Sequence, residues 1–411
     1  MDRLPLRARM ATAMGEAAGR LSRMAGRGDG SVIGGKIGLW LEPDLLSMLA
    51  AGRQVVLVTG TNGKTTTTRL ITAGLGALGQ GVASNSFGAN MEEGLAAALG
   101  QSPNAPYAVL EVDEKYLPRV IEATAPRVVA LLNLSRDQMD RAAEIWLLAR
   151  RWRDALRAAP GTRVVANADD PLVAWAAVSA ASVTWVSAGQ RWREDSWCCP
   201  ECGSHLRRDG DDWRCGECSC ARPRVSWVLD GGKVIDSAGR AHELDLALPG
   251  RANRANAVVA LAVVEVFGVD VAQALPSLRG VTSVAGRYTQ VERRGRPVRL
   301  LLAKNPAGWL EAFDVLDPPP TPIVLAVNAR EPDGKDTSWL WDVDYRVLRG
   351  RRVFVTGERR LDLAVRLEAD EIPFELAGGI DEAVDRVTGK LDVLANYTAF
   401  QQIRAALGRV S

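Results

Sequence analysis

The stretch Val55–Leu70, VVLVTGTNGKTTTTRL, decides the fold. A β-branched apolar run ends in a glycine-centred turn, and Lys64 with four threonines then opens a helix. Strand, turn and helix N-terminus together make a phosphate cradle. Backbone N–H groups and the positive helix end face the anion, Lys64 adds a point charge, and Thr65 is placed to ligate Mg²⁺. The usual loop is G-x-x-x-x-G-K-[ST], whose first glycine would fall here at Val58. The loop is instead the shorter Gly60-Thr61-Asn62-Gly63-Lys64-Thr65, followed by Thr66.

Outward from this stretch, apolar runs alternate with helical patterns. Strands are expected at 54–59, 107–112, 127–133, 162–167 and 183–187, and helices at 65–78, 91–99, 115–123, 139–158 and 170–180. Such alternation predicts a parallel sheet with helices on both faces. Ligands then belong at the carboxyl ends of the strands, where the glycine loop, Glu111 and Asn133 all fall. A carboxylate such as Glu111, ending a neighbouring strand, is the expected second Mg²⁺ anchor beside the loop threonine. The segment 250–267 reads as a strong helix, and a boundary is expected near Gly286. Strands at 298–302, 323–327, 352–355 and 391–395 then predict a second α/β domain.

A chain of 411 residues is too long for one ordinary core. Its net charge of +2 gives no electrostatic case for nucleic acid. No apolar run approaches the ~18 residues of a spanning helix. Arg, Glu and Gly interrupt every candidate signal core near the N-terminus, so the expected compartment is the cytoplasm. Residues 1–30 read as an amphipathic helix with apolar Leu6, Met10, Met14, Ala17 and Leu21, then a glycine-rich link. Packing of that apolar face on the domain is the first expectation, and a place at a lipid interface is the second.

All six cysteines lie in a polar, Trp- and Arg-rich stretch, 191–225, read as an inserted module. Cys199 and Cys202, then Cys215 and Cys218, form two C-x-x-C knuckles with twelve residues between them. In a reducing compartment this spacing suits a closed tetrahedral Zn²⁺ site that holds shape and does not catalyse. Free thiols or a redox pair are the alternative, Cys198 and Cys220 leave the ligand choice open, and His205 is an outside candidate. Besides His205 the only histidine is His242, so a Cys–His glutaminase is not expected within this chain.

The short glycine loop resembles that of the Mur ligase superfamily, ATP-dependent enzymes that join amines to carboxylates during peptidoglycan construction. LEVDE (110–114), NLSRDQMDR (133–141), the cysteine cluster (199–218) and DGKDTSWLWDVDY (333–345) narrow the resemblance. They look like the branch of ligase-like subunits that amidate lipid II together with a GatD-like glutaminase. The resemblance implies an α/β chain in three parts: a helical segment 1–50, a Mur ligase-type ATP-binding domain 51–285 with a four-cysteine zinc ribbon inserted at 191–225, and a C-terminal Rossmann-like domain 286–411 that contacts the glutaminase.

The same resemblance implies the chemistry. ATP phosphorylates the α-carboxylate of D-isoglutamate in the lipid II stem peptide, and ammonia from the partner displaces phosphate, at the inner face of the plasma membrane. Lys64 would act on phosphate within a loop of Gly60, Thr61, Asn62, Gly63, Thr65 and Thr66, while Thr65 and Glu111 hold Mg²⁺. Asn253, in the G-x-x-N-x-x-N helix start that also holds Asn256, and Arg287 would meet the nucleotide, and Asn167 is a further candidate. Gln138 stands where many relatives keep a His for a second metal. Asp342, then Asp344, would orient the partner's catalytic histidine, with Trp339 and Trp341 as interface anchors. Two rivals remain. One is a Mur-type or folylpolyglutamate-type amino-acid ligase, although about 50 residues before the loop are few for the usual UDP-binding domain. The other is a nucleotide-gated zinc-ribbon module for nucleic acid or a regulatory partner.

Overall fold

The computed structural model describes residues 4–24, 30–85, 89–137, 144–282 and 288–408. Gln138 and Arg287, and the boundary expected near Gly286, lie outside them. The described chain forms two compact units. One comprises 4–134, 144–248 and 252–282, the other 135–137, 249–251 and 288–408.

The first unit begins with helices α1 (Leu6–Met24), α2 (Ser31–Leu41) and α3 (Leu45–Ala50). Its sheet comprises β1 (Gln54–Thr59), β2 (Val82–Ser84), β3 (Tyr107–Glu111), β4 (Val128–Leu131), β5 (Arg163–Asn167) and β6 (Ser182–Ser187). The cysteine-rich stretch contributes a separate hairpin, β7 (Leu206–Asp209) and β8 (Asp212–Cys215). The main sheet then resumes with β9 (Trp227–Asp230), β10 (Lys233–Ile235) and β11 (Ala241–Glu243), in the order β11-β10-β9-β6-β5-β4-β1-β3-β2. In this sheet the pairs from β2 through β9 are parallel, and only the β9–β10 and β10–β11 pairs are antiparallel.

The side-chain period of two divides β1 between two cores. Val55 and Leu57 join the core containing α5 (Glu92–Gln101), α6 (Leu117–Thr124), α7 (Ile145–Arg157) and α8 (Pro171–Ala177). Val56 and Val58 face the other side, against α4 (Lys64–Leu75), α9 (Arg251–Glu265) and α10 (Val271–Arg279). Burial on both faces explains why β1 reads as one continuous apolar run.

Helix α1 is the helix expected within residues 1–30, but it overturns the expectation that its large apolar side chains pack on the domain. Its small residues are buried, and Leu6, Met10, Met14, Ala17 and Leu21 are exposed.

The second unit is a six-stranded sheet in the order β12-β13-β17-β14-β15-β16. Its strands are β12 (Tyr288–Arg293), β13 (Arg296–Leu302), β14 (Ile323–Ala326), β15 (Val353–Thr356), β16 (Phe374–Leu376) and β17 (Leu391–Ala395). Only the β12–β13 pair is antiparallel. Helices α11 (Pro306–Phe313), α12 (Arg360–Ala369), α13 (Ile380–Asp385) and α14 (Tyr397–Leu407) complete the unit.

Arg299 and Asp392 sit opposite each other on β13 and β17. Their bond is bidentate, at 2.8 Å on each arm, and both side chains are buried. Asp392→Ala leaves the buried Arg299 only its looser contact with Asp317, at 3.4 Å, so it should cost about 3 kcal/mol. Denaturant midpoints of the two proteins measure it. A loss below about 1 kcal/mol, the value of an exposed pair, would show that water reaches Arg299 after all.

Candidate functional site

The glycine loop closes over the carboxyl end of β1, where β3 and β4 flank it on either side. Gly60 has φ 141° and Gly63 φ 88°, backbone that side-chain-bearing residues rarely adopt. Contacts add a second constraint. A Cβ on Gly60 would lie 2.8 Å from Leu132 Cβ, and one on Gly63 would lie 2.5 Å from Asn256 Oδ1. Asn256 on α9 therefore packs straight against the loop, and Asn253 lies one helical turn before it.

Asn133, two residues past the end of β4, clamps the loop. Its Oδ1 accepts the Asn62 N–H at 2.8 Å, its Nδ2 donates to the Asn62 carbonyl at 2.9 Å, and its own carbonyl accepts the Thr61 N–H at 2.9 Å. Lys64, Thr65 and Thr66 then open α4 and are buried. Lys64 Nζ donates to the Gly60 carbonyl at 2.7 Å and pairs with Glu114 Oε1 at 2.6 Å. Burial, and then the neighbouring Glu114 charge, push the Asp113 carboxyl above the usual carboxylate range.

Glu111 ends β3 at 2% exposure, and its Oε2 has no partner among the described residues. An orphaned carboxylate oxygen in a buried position is the observation a hard cation would satisfy. Asn85 holds the strand end. It accepts the Glu111 N–H and donates to the Glu111 carbonyl, both at 2.8 Å. The sequence reading did not include Asn85, which carries no motif signal in a polar loop. It did note Asn133 at its strand end, but not that its side chain holds the loop. Asn167 spends its side-chain oxygen on the Asp169 N–H at 2.9 Å, as a turn residue does.

The cysteine module is a second site within this unit. Cys199 and Cys218 sulfurs lie 3.6 Å apart, Cys202 and Cys215 sulfurs 3.5 Å apart, and all four fall within 4.8 Å of one another. A tetrahedral Zn–S₄ centre needs edges of about 3.8 Å, so the donor set and spacing fit. Hydrogen bonds from Ser204, backbone first, hold the Cys202 thiol down at about 6. The module has little core of its own: Leu206, Trp213, Cys199 and Cys215 pack with Ala174 of α8. Trp213 Nε1 also donates to the Ala168 carbonyl at 2.9 Å.

In the second unit, the acidic loop is a run of 3₁₀ turns at Ser338–Asp342 and Tyr345–Leu348. Trp339, Leu340, Val343, Tyr345 and Leu348 are buried in its core, while Trp341, Asp342 and Asp344 face outward. Trp339 is thus no surface anchor, since its ring sits 5.8 Å from Trp309. Trp341 is exposed, with the Arg366 guanidinium 5.2 Å from its ring. Asp344 caps the second turn and grips Arg346 through both oxygens at 2.8 Å, which holds its carboxyl below the usual range. Asp342 pairs more loosely with Arg136, at 3.4 Å. In KNPAG, Asn305 caps α11 by accepting the Gly308 N–H at 2.8 Å, and Lys304 Nζ lies 4.8 Å from the Tyr397 ring.

A short glycine loop at the end of an inner strand of a mostly parallel sheet, with a carboxylate at the next strand end, defines a P-loop nucleotide-binding fold. The chain belongs to the Mur ligase family, whose middle-domain description matches residues 58–264. The description "MurT ligase C-terminal" matches residues 302–400. The lipid II isoglutaminyl synthase (glutamine-hydrolyzing) subunit MurT of Streptococcus pneumoniae (strain ATCC BAA-255 / R6) is 29% identical over 96% of this chain and 97% of its own length. The protein of the same name from Staphylococcus aureus (strain COL) is 27% identical, over 95% of each chain. Among solved structures, the MurF ligase of Thermotoga maritima in complex with ADP aligns with a TM-score of 0.65 at 16% identity. That alignment covers 90% of this chain and 83% of that one, a likeness of fold.

Proposed function

We propose that this chain is the ligase subunit of a glutamine-dependent amidotransferase that converts the D-isoglutamate α-carboxylate of the lipid II stem peptide to D-isoglutamine. The observation that carries the reading is the pairing, in one chain, of a Mur ligase middle domain with a MurT-type C-terminal segment. The three-part division at residues 50 and 285 belongs to the same reading.

A carboxylate is a poor electrophile, and phosphorylation supplies a leaving group. A carboxylate oxygen attacks the γ-phosphorus of ATP, ADP departs, and an acyl phosphate remains. The nitrogen of ammonia then attacks the carbonyl carbon, inorganic phosphate leaves, and the nitrogen sheds a proton to give the amide. Lys64 and the loop N–H groups bind the phosphates, with Glu114 steering the Lys64 ammonium. Mg²⁺, held by Thr65 and Glu111, would neutralise charge that builds up during transfer. Asn253 and Asn256 belong to the nucleotide side of the site in this reading, Asn256 because it packs against the loop, while for Arg287 the nucleotide role is what the family resemblance implies. In this reading ammonia comes from a GatD-like glutaminase.

The test is incubation of the chain and its glutaminase with lipid II, Mg·ATP and glutamine, followed by mass spectrometry of the stem peptide. An amide at the isoglutamate position is the expected product. Incorporation of a whole amino acid would replace this reading with that of an amino-acid ligase.

The four-cysteine site belongs to the proposal as a structural Zn²⁺ centre. Purified protein should carry about one zinc per chain, and Cys202→Ser should drop that stoichiometry toward zero. The substitution should also change the near-ultraviolet signal of Trp213. Metal analysis that finds no zinc, with the four thiols reactive in the native protein, would eliminate the centre.

A further inference from the structure

Helix α1 is built in reverse for a helix packed on a protein core. Ala8, Ala11, Thr12, Gly15, Gly19 and Ser22 are its buried residues. A Cβ on Gly15 would sit 2.5 Å from the Gly34 carbonyl oxygen, so α1 meets α2 through near backbone contact. The large side chains Leu6, Met10, Met14, Leu21 and Met24 are each at least 50% exposed. At the helical period they lie about 160° round from the buried face. On the same wheel Arg9 and Arg20 border the apolar stripe on one side and Arg7 on the other, all three exposed. Helix α2 adds exposed Val32, Ile33 and Lys36, with Trp40 at 80% exposure.

Charge is segregated along with this surface. Residues 1–41 carry seven Lys or Arg against three Asp or Glu, a net +4, whereas the whole chain is +2. The remaining residues are therefore net −2. An apolar stripe edged by arginines, with a neighbouring helix that exposes a tryptophan, is the pattern of a surface lying in a bilayer interface, and a local positive excess selects anionic headgroups. No described helix is long and apolar enough to cross a membrane, which leaves lying on the surface as the mode of contact.

We propose that the outward face of α1 and α2 docks into the headgroup layer of an anionic membrane. The inference stands on these residues and not on the amidation reading, although a lipid-anchored substrate would give it a use.

The experiment is vesicle flotation of the full chain, with phosphatidylcholine alone and with an equal part of phosphatidylglycerol. Wild type should float with the anionic vesicles, less so at high salt. Met10→Ser/Met14→Ser/Leu21→Ser should lower the bound fraction at least about tenfold, and Arg9→Glu/Arg20→Glu should act in the same direction. Both variants should keep the wild-type melting temperature and ATP turnover, since these side chains are exposed. Failure of wild type to float, or a triple variant that floats like wild type, would overturn the proposal. A triple variant that instead loses its glutaminase in gel filtration, with flotation unchanged, would make the face a protein interface and also overturn it. Amidation is not read in this assay, so the two proposals fail separately.

Discussion

Lys64→Ala is expected to lower ATP turnover at least about a hundredfold, because a fixed cation on the transferring phosphate acts where charge develops. Lys64 is poorly replaceable for a structural reason. Its Nζ is held by the Gly60 carbonyl, the Thr61 carbonyl at 3.3 Å and Glu114, in a position where the side chain is almost wholly enclosed. Those contacts set the direction of the ammonium before any nucleotide arrives. Removing it leaves Glu114 beside Asp113 without the compensating charge, so some loss of stability should accompany the loss of activity. Melting curves separate the two effects. Lys64→Arg is the sharper control, because it keeps the charge but puts a planar fork where a compact ammonium fits. It should stay folded and still turn over slowly. A folded Lys64→Ala protein that releases phosphate at the wild-type rate would remove Lys64 from the chemistry.

The first sheet was legible in the sequence because its strands are buried on both faces and punctuated by helices. The strands expected at 54–59, 107–112, 127–133, 162–167 and 183–187 are β1, β3, β4, β5 and β6, with ends shifted by no more than two residues. The three-residue strands β2, β10 and β11 were not legible, since three residues carry no periodicity and pairing with a neighbour creates them. Helix α1 misled for a different reason. Periodicity reveals that a helix has two faces, but which face turns inward is settled by close packing, and here glycine and alanine pack closer than methionine can. Trp339 and Trp341 show the same limit: two apart in a 3₁₀ turn, one enters the core and the other does not. In the loop site the glycines and Lys64 were visible as a motif. Asn85 and Asn133 act by holding backbone from other strands, a role that only the folded sheet brings about.

Asp342→Asn should cut glutamine-dependent amidation by about 10⁴ while leaving ammonium-dependent amidation near wild type, if this carboxylate orients a histidine of the glutaminase as triad acids do. The structure separates the two candidate aspartates. Asp344 is committed twice, as the cap of the turn it precedes and as the bidentate partner of Arg346. Turning it toward a partner would break three hydrogen bonds. Asp342 stands on the outward side of the same loop, its backbone fixed by the burial of Leu340 and Val343 on either side, and its contact with Arg136 is loose, at 3.4 Å. A neutral amide in its place keeps the shape but no longer favours the correct imidazole tautomer. Asp344→Asn should behave differently, costing about 1 kcal/mol of stability through the weakened cap with little change in glutamine use. The measurement is lipid II amidation by each variant complex, supplied first with glutamine and then with ammonium. Equal loss with both nitrogen sources would move Asp342 into the ligase site, and loss confined to Asp344→Asn would exchange the roles of the two residues.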